Sequence, residues 1–435
     1  MKPHIRLKFT PQFPVPGQFP HWQDIASGRV MAPSHIHPQI DVLLDRYNLP
    51  VKVAREYRPR RQQWDVQEQA SGLNRVFRLI LKQEMRVPTE LLHQLSASAT
   101  IESATVGEIG QAALPDILPQ QLSVNTDERS REAIGLPAAH RYSQGDPNIT
   151  IAVLDTGVNL DHPELQAALL PGYDFVNIVN GASRFVGDFL GYDADPEDEV
   201  GHGTHVAGII AAQGVAMPLG VVPRCKVLPV RVLGAMKRGA KRVGAGLVDN
   251  INSGIKWAID QGADVINMSL GIRRTGETVP HQEVVDYAQR RGVTLIAASG
   301  NDGQQQSYYP GTLPYAIAVG AVDEQGQMAH FSTYGPQVDF VAPGTRIYST
   351  YLKHDYGFST GTSHAAPFVA GAAALLKSYA LQKTGQPISD AQIKYLLKHT
   401  ADKLDRRFKH PKAGFGQLNL LDALRLLDAK LGFAV

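Results

Sequence analysis

Two regimes of hydrophobic patterning divide the chain. From Asn148 onward apolar residues come in nearly unbroken runs, at Ile149–Leu154, Val227–Val232, Val265–Leu270, Val293–Ala298 and Ala316–Val319. Short continuous runs of this kind predict strands buried on both faces. Between several of them the apolar period lengthens to that of a helix, at about Leu247–Asp260 and Gln282–Arg290, and a small-residue helix is expected from Ser363 to about Ser378. Buried strands alternating with helices predict an α/β fold, a parallel sheet with helices on both faces.

The first 110 residues read differently. A strand near His4–Thr10 and a Pro-rich stretch lead to a helix at Pro38–Tyr47, a strand at Val51–Tyr57 and a charged turn through Arg58–Gln69. A strand at Arg75–Lys82, a helix at Thr89–Ser96 and a strand at Thr100–Glu108 follow. The order β-α-β-β-α-β predicts a small α+β sandwich of the ferredoxin-like type. Residues 111–130 turn to Gln, Pro, Ser and Asp without a sustained period and read as a linker. The expected organisation is therefore 1–110, a linker at 111–130, and 131–435.

Composition narrows the partners. A chain of 435 residues with 43% hydrophobic and 19% charged residues and a net charge of +2 is long enough for two or three domains and carries no basic excess suited to nucleic acid. A single cysteine, Cys225, excludes an internal disulfide framework. No run of eighteen apolar residues suggests a membrane span, and the N-terminus alternates like a strand rather than a secretory signal. A cytoplasmic location is expected, with unconventional export as the alternative.

Three separated Gly-rich segments carry the chemistry: Asp155-Thr156-Gly157, Gly201-His202-Gly203-Thr204-His205 and Gly361-Thr362-Ser363-His364-Ala365-Ala366-Pro367. A serine hydroxyl is a weak nucleophile, needing a histidine to take its proton and a buried carboxylate to orient that histidine. Asp155, His202 and Ser363 supply the three groups. Ser363 opens a helix, where its own N–H and the helix dipole favour a developing oxyanion. Other readings are weaker. Aspartic proteases need a second facing carboxylate. A dinucleotide-binding turn needs an apolar strand before it, whereas acidic residues precede Gly201. His205, three residues after His202, lacks a third metal ligand nearby and reads as a packed histidine.

The chain order Asp, His, Ser is that of subtilisin among the known triads. These segments, with Val153-Leu154 before the aspartate and Val206-Ala207-Gly208 after the histidines, resemble the subtilase family from about Arg131 to the C-terminus. The resemblance implies a serine endopeptidase acting on polypeptides through an acyl-enzyme, with an Asp-His-Ser triad. It implies that residues 1–110 are a propeptide-like domain that assists folding, inhibits from within, and lays its tail in the substrate cleft, with self-cleavage between Gly110 and Ser130. By the same resemblance Asn301 is the side-chain oxyanion donor. Ser269-Leu270-Gly271, Gly300 and Tyr308 bound the substrate, Tyr308 shortening the first specificity pocket. His364 stands where Met is common in the family and is expected in the core or cleft wall. No cofactor is required. Calcium is the one metal the resemblance allows: Glu164 and the loop Gln213–Gly220 depart from the family's strong site, and Asp193, Asp195 and Asp198 form a weaker candidate. Two alternatives remain: a maturation protease for one partner peptide, and a latent binding protein with its N-terminal domain permanently docked.

Overall fold

A computed structural model describes residues 4–13, 18–114, 118–120, 128–177, 191, 193–238, 241–273 and 279–432. The N-terminal unit contains β1 (His4–Phe9), α1 (Trp22–Ala26), α2 (Pro38–Arg46), β2 (Val51–Arg55), α3 (Val66–Ala70), β3 (Val76–Leu81), α4 (Thr89–Ser96) and β4 (Ile101–Val106). Its strands pair antiparallel in the order β2-β3-β1-β4. Ile5, Leu7, Phe77 and Leu79 of the sheet pack with Ile40 and Leu44 of α2 and Leu91 and Leu95 of α4. The charged stretch Arg58–Gln69, expected as a turn, ends in α3 because Asp65 caps it. Its Oδ1 accepts from the N–H groups of Gln67 and Glu68, and Glu68 returns a bond to the Asp65 N–H.

The stretch 111–130, expected as a linker, carries secondary structure. It holds most of β5 (Ile109–Ala113), all of β6 (Leu118–Gln120), and the start of α5 (Arg129–Glu132), which α6 (Leu136–Ala139) follows. Residues 115–117 and 121–127, within which part of the expected self-cleavage region falls, lie outside the described residues. Neither strand pairs with a sequence neighbour. β5 adds to the hairpin of β10 (Gly234–Arg238) and β11 (Lys241–Leu247), and β6 adds to the hairpin of β18 (Ile347–Thr350) and β19 (Tyr356–Ser359).

The remaining chain builds the expected α/β layers. β7 (Thr150–Asp155), β8 (Tyr173–Asp174), β9 (Lys226–Arg231), β12 (Val265–Met268), β14 (Thr294–Ala298), β16 (Ile317–Val322) and β17 (Val338–Pro343) form a parallel sheet in the order β17-β16-β14-β12-β7-β9-β8. Along one strand alternate residues serve different cores. Ile151 and Val153 of β7 face one side with α7 (His202–Ala211) and α10 (Thr362–Thr384), while Ala152 and Leu154 face the other with α8 (Val248–Asp260) and α9 (Gln282–Arg291). Helices on both faces are why these runs are mostly apolar on both alternations. α11 (Asp390–Thr400) and α12 (Leu420–Gly432) extend the first core, and a two-residue pair, β13 (Ile272–Arg273) with β15 (Tyr308–Tyr309), lies outside the main sheet. Trp22, Ala54, Tyr57, Leu73 and Val76 of the N-terminal unit join the second core, so that unit packs on α8 and α9. Among the described residues no helix is long and apolar enough to cross a membrane.

Candidate active site

Three neighbouring strands end at one place. β7 finishes with Asp155, β12 runs into Ser269-Leu270-Gly271, and β14 runs into Ser299-Gly300-Asn301. Open parallel sheets offer their sites at such carboxyl ends. Asp155 is fully buried, and its Oδ1 accepts from the Thr156 N–H at 2.8 Å and from His202 Nδ1 at 2.7 Å. With Nδ1 as donor, the neutral ring presents Nε2 as its acceptor. That Nε2 is buried with no hydrogen-bond partner among the described residues, and the Ser363 hydroxyl donates instead to the Ser269 carbonyl oxygen at 3.1 Å. Nucleophile–base bonds are often loose without substrate and tighten when it binds.

The scaffold holding these groups is specific. A Cβ on Gly203 would run into the Gly157 carbonyl oxygen and lie 3.0 Å from the Asp155 Cβ, so only glycine lets α7 approach the Asp155 turn this closely. Asp198 caps α7: its carboxylate accepts from the N–H groups of Val200, Gly201 and Thr204 and from the hydroxyls of Thr156 and Thr204. Thr156 Oγ1 in turn accepts from the Gly203 N–H at 3.0 Å. Neither threonine's part was evident in advance. Nor was the part of Asp198, which lies three residues before the N-cap Gly201 and so outside the usual capping position.

Ser363 is the second residue of α10, where backbone N–H groups have no intrahelical acceptor. Pro367 lies inside α10, past its first turn. Lacking an N–H, it cannot bond the Ser363 carbonyl, which accepts from Ser269 Oγ at 2.7 Å instead. Asn301 is oriented by Thr362, whose N–H and hydroxyl both donate to Asn301 Oδ1, at 2.8 and 2.9 Å. That leaves the Nδ2 end as donor.

The electrostatics separate three neighbouring histidines. Burial alone would lower the pKa of His202, but the Asp155 carboxylate, helped by Asp198, outweighs it and raises the value above the usual imidazole range. His205 is pushed down to about 3, chiefly by burial, and its Nε2 meets the Gly357 carbonyl at 3.1 Å. His364 is fully buried with its ring 5.5 Å from that of His202 and 4.4 Å from that of His205. Burial first, then the other two imidazoles, hold it well below the usual range. Two neutral imidazoles thus stand behind His202.

Of the other expected substrate residues, Ser269 bonds Ser363, and the Gly300 N–H meets Thr362 Oγ1 at 3.3 Å. Ser269 and Leu270 are buried, and the ring of Tyr308 stands between Gly271 and Gly300. The basic stretch Lys237–Arg242 belongs to the β10–β11 hairpin, with Gly239 and Ala240 outside the described residues.

The metal candidates fare differently. Asp193 and Asp195 each accept a bond from the backbone N–H two residues on, and Asp198 is consumed by the cap of α7, which removes it as a cation ligand. Among the described residues no cluster of three His, Cys, Asp or Glu side chains could hold a metal ion. The loop after α7 is gathered around a carboxylate. Glu164, fully buried, accepts from the N–H groups of Gly214 and Val215 on one oxygen and of Ala216 and Met217 on the other, at 2.7 to 3.2 Å. Four amides thus close on a side chain of the chain itself.

Comparison with known proteins agrees with this arrangement. The sequence profile of the Subtilase family matches residues 146–417. The chain is 40% identical over 269 residues to subtilisin BL of Lederbergia lenta, covering 62% of this chain and 88% of that protein. It is 38% identical over 287 residues to a thermophilic serine proteinase of Bacillus sp. (strain AK1), covering 65% of this chain and 63% of that protein. The solved structure of the prenylagaramide maturation protease PagA superposes with a TM-score of 0.55 at 30% identity, over 67% of this chain and 98% of that one. The expected family and fold are thus borne out: the chain belongs to the subtilase family and is a subtilisin-like serine endopeptidase.

Proposed function

We propose that the chain cleaves polypeptides through an acyl-enzyme formed on Ser363 and is made in a latent form. His202 takes the Ser363 proton through Nε2 and later returns it to the leaving amine, while Asp155 holds the imidazole through Nδ1 and stabilises the imidazolium. The oxyanion receives the Asn301 Nδ2–H and the Ser363 N–H. Removing such a side-chain donor costs about 100- to 1000-fold in turnover, a magnitude measured in subtilisin itself. The observation that carries the reading is the buried 2.7 Å bond from His202 to Asp155, which leaves Nε2 without a hydrogen-bond partner among the described residues.

Latency is supported by the path of the chain. β5 pairs antiparallel with β11, from Ile109 opposite Leu247 to Ala113 opposite Val243, and β6 pairs with β19, whose strand leads into Ser363. Added strands of this kind are how extended peptides bind. Residues 1–110 would then act as folding aid and intramolecular inhibitor. A second reading, a maturation protease selective for one partner peptide, draws on the likeness to PagA.

The test is intact mass and N-terminal sequencing of wild type beside Ser363→Ala, each exposed to a fluorophosphonate. Labelling and cleavage between Gly110 and Ser130 in wild type alone are expected. Equal cleavage in both would remove Ser363 from the reaction.

A further inference from the structure

The space beside the nucleophile has two walls. Ser363 Oγ touches the Ser269 carbonyl, and Asn301 is tied to Thr362, so Ser269–Gly271 and Ser299–Asn301 both border the start of α10; on the protease reading above, the residue before the cut would put its side chain between them. Each wall presents a glycine, and the gap between them is already filled. A Cβ on Gly271 would lie 3.0 Å from Tyr308 Cδ1, and one on Gly300 would lie 2.6 Å from Cε2 and 2.7 Å from Cδ2. Opposite edges of one ring therefore abut both walls, leaving no room for a second ring between them.

The tyrosine is held in place. β15 pairs with β13, setting Tyr308 opposite Arg273 just past Gly271. Its hydroxyl donates to Asp302 Oδ2 at 2.5 Å, and the Asp302 N–H donates to Thr333 Oγ1 at 3.0 Å. Swinging the ring out of the gap breaks the phenol–carboxylate bond, and the carboxylate adds negative charge beside the ring.

We infer that Tyr308 and Asp302 together restrict the residue before the cut to a short, uncharged side chain such as Ala or Ser. The inference rests on the protease reading above and names the substrate class it takes. A long side chain meets the ring whatever its charge. An acidic one also meets the Asp302 carboxylate.

The test uses the full chain that reacts with a fluorophosphonate. kcat/KM is measured for four tetrapeptide anilides differing only in the last residue, Ala, Phe, Lys or Glu, and cut positions are read in denatured casein. Ala should exceed Phe by at least about tenfold, the scale on which a pocket discriminates shape, with Glu lowest. Tyr308→Gly should raise the Phe value at least about tenfold relative to Ala. Asp302→Ala, which keeps the ring but frees it, should raise Glu and, to a smaller extent, Phe. Phe cut as well as Ala by wild type, in anilides and casein alike, or an unchanged Phe-to-Ala ratio in a Tyr308→Gly chain that still takes the probe, overturns the inference. A chain that takes no probe and cuts nothing fails on the protease reading instead.

Discussion

The N-terminal unit meets the rest of the molecule in two places that work by different means. In the proposed substrate cleft the contact is strand pairing, Ile109–Ala113 against Val243–Leu247 and Leu118–Gln120 against Tyr356–Phe358, and uses groups that every peptide carries. On the flank, over α8 and α9, the contact is made by particular side chains. Arg78 pairs with Glu56, donates to Asn250 Oδ1 at 2.8 Å, and lies 4.3 Å above the Trp22 ring, while Trp22 Nε1 donates to Ser253 Oγ. Lys256 bonds Glu68 at 2.7 Å, His4 bonds Asp249 at 2.5 Å, and Arg6 and Tyr57 both reach Glu283. Strand pairing is thus a contact many sequences could make, and the flank one that fits this unit's side chains. The latency proposed above would need both: pairing alone would be shared with any substrate, and the flank alone would leave Ser363 open.

The comparison breaks most sharply at Arg78. Glu56 and Arg78 are almost wholly buried, so Arg78→Met strands a buried carboxylate at a cost of about 3–5 kcal/mol. Urea denaturation in the Ser363→Ala background, which prevents self-digestion, should show that loss. A change under about 1 kcal/mol would mean the flank is not where the unit is held.

Acid should separate the two zones next. Burial alone would raise the Asp249 pKa, but the bond to His4 and the charges of Arg6 and Arg78 outweigh it and hold the carboxyl well below its usual range. A depressed carboxyl contributes above its unfolded value, about 4, and loses that contribution as pH falls further. Thermal midpoints of the same background should therefore drop below about pH 4, and Asp249→Asn should flatten that acid limb. The backbone pairing of the cleft offers no titrating group.

The smallest effect is expected in the tail. Gln111 sits opposite Ala245, and Gln111→Ala keeps every backbone group of that pairing, so its cost should stay under about 1 kcal/mol in the same urea experiment. A larger loss would show that the cleft also reads the tail's side chains.

What the chain discloses in advance follows the range of the interactions. The runs at Ile149–Leu154 and Val265–Leu270 become strands because burial on both faces is written into consecutive residues. Asp155 closes the first of these runs, and His202 meets it there. Helix α3 falls in a stretch expected as a charged turn, although Asp65 and Glu68 have the spacing of a capping box. β5 and β6 carry no such signal. Their partners lie more than 100 residues away, and a strand added to an edge needs no period of its own. The same holds for Asp198, whose cap of α7 shows only once that helix is drawn, and for Ser269 Oγ, which answers the carbonyl that Pro367 leaves open.

The Glu164 loop carries a consequence for how this protein depends on its surroundings. A loop organised around a bound ion is only as firm as the supply of that ion, and it softens when a chelator or a dilute medium draws the ion away. Here the charge at the centre is covalently part of the chain, meeting four amides between Gly214 and Met217. It is present from synthesis, at a fixed stoichiometry of one, and cannot be washed out. In this corner of the fold the four amides are therefore held by the chain itself.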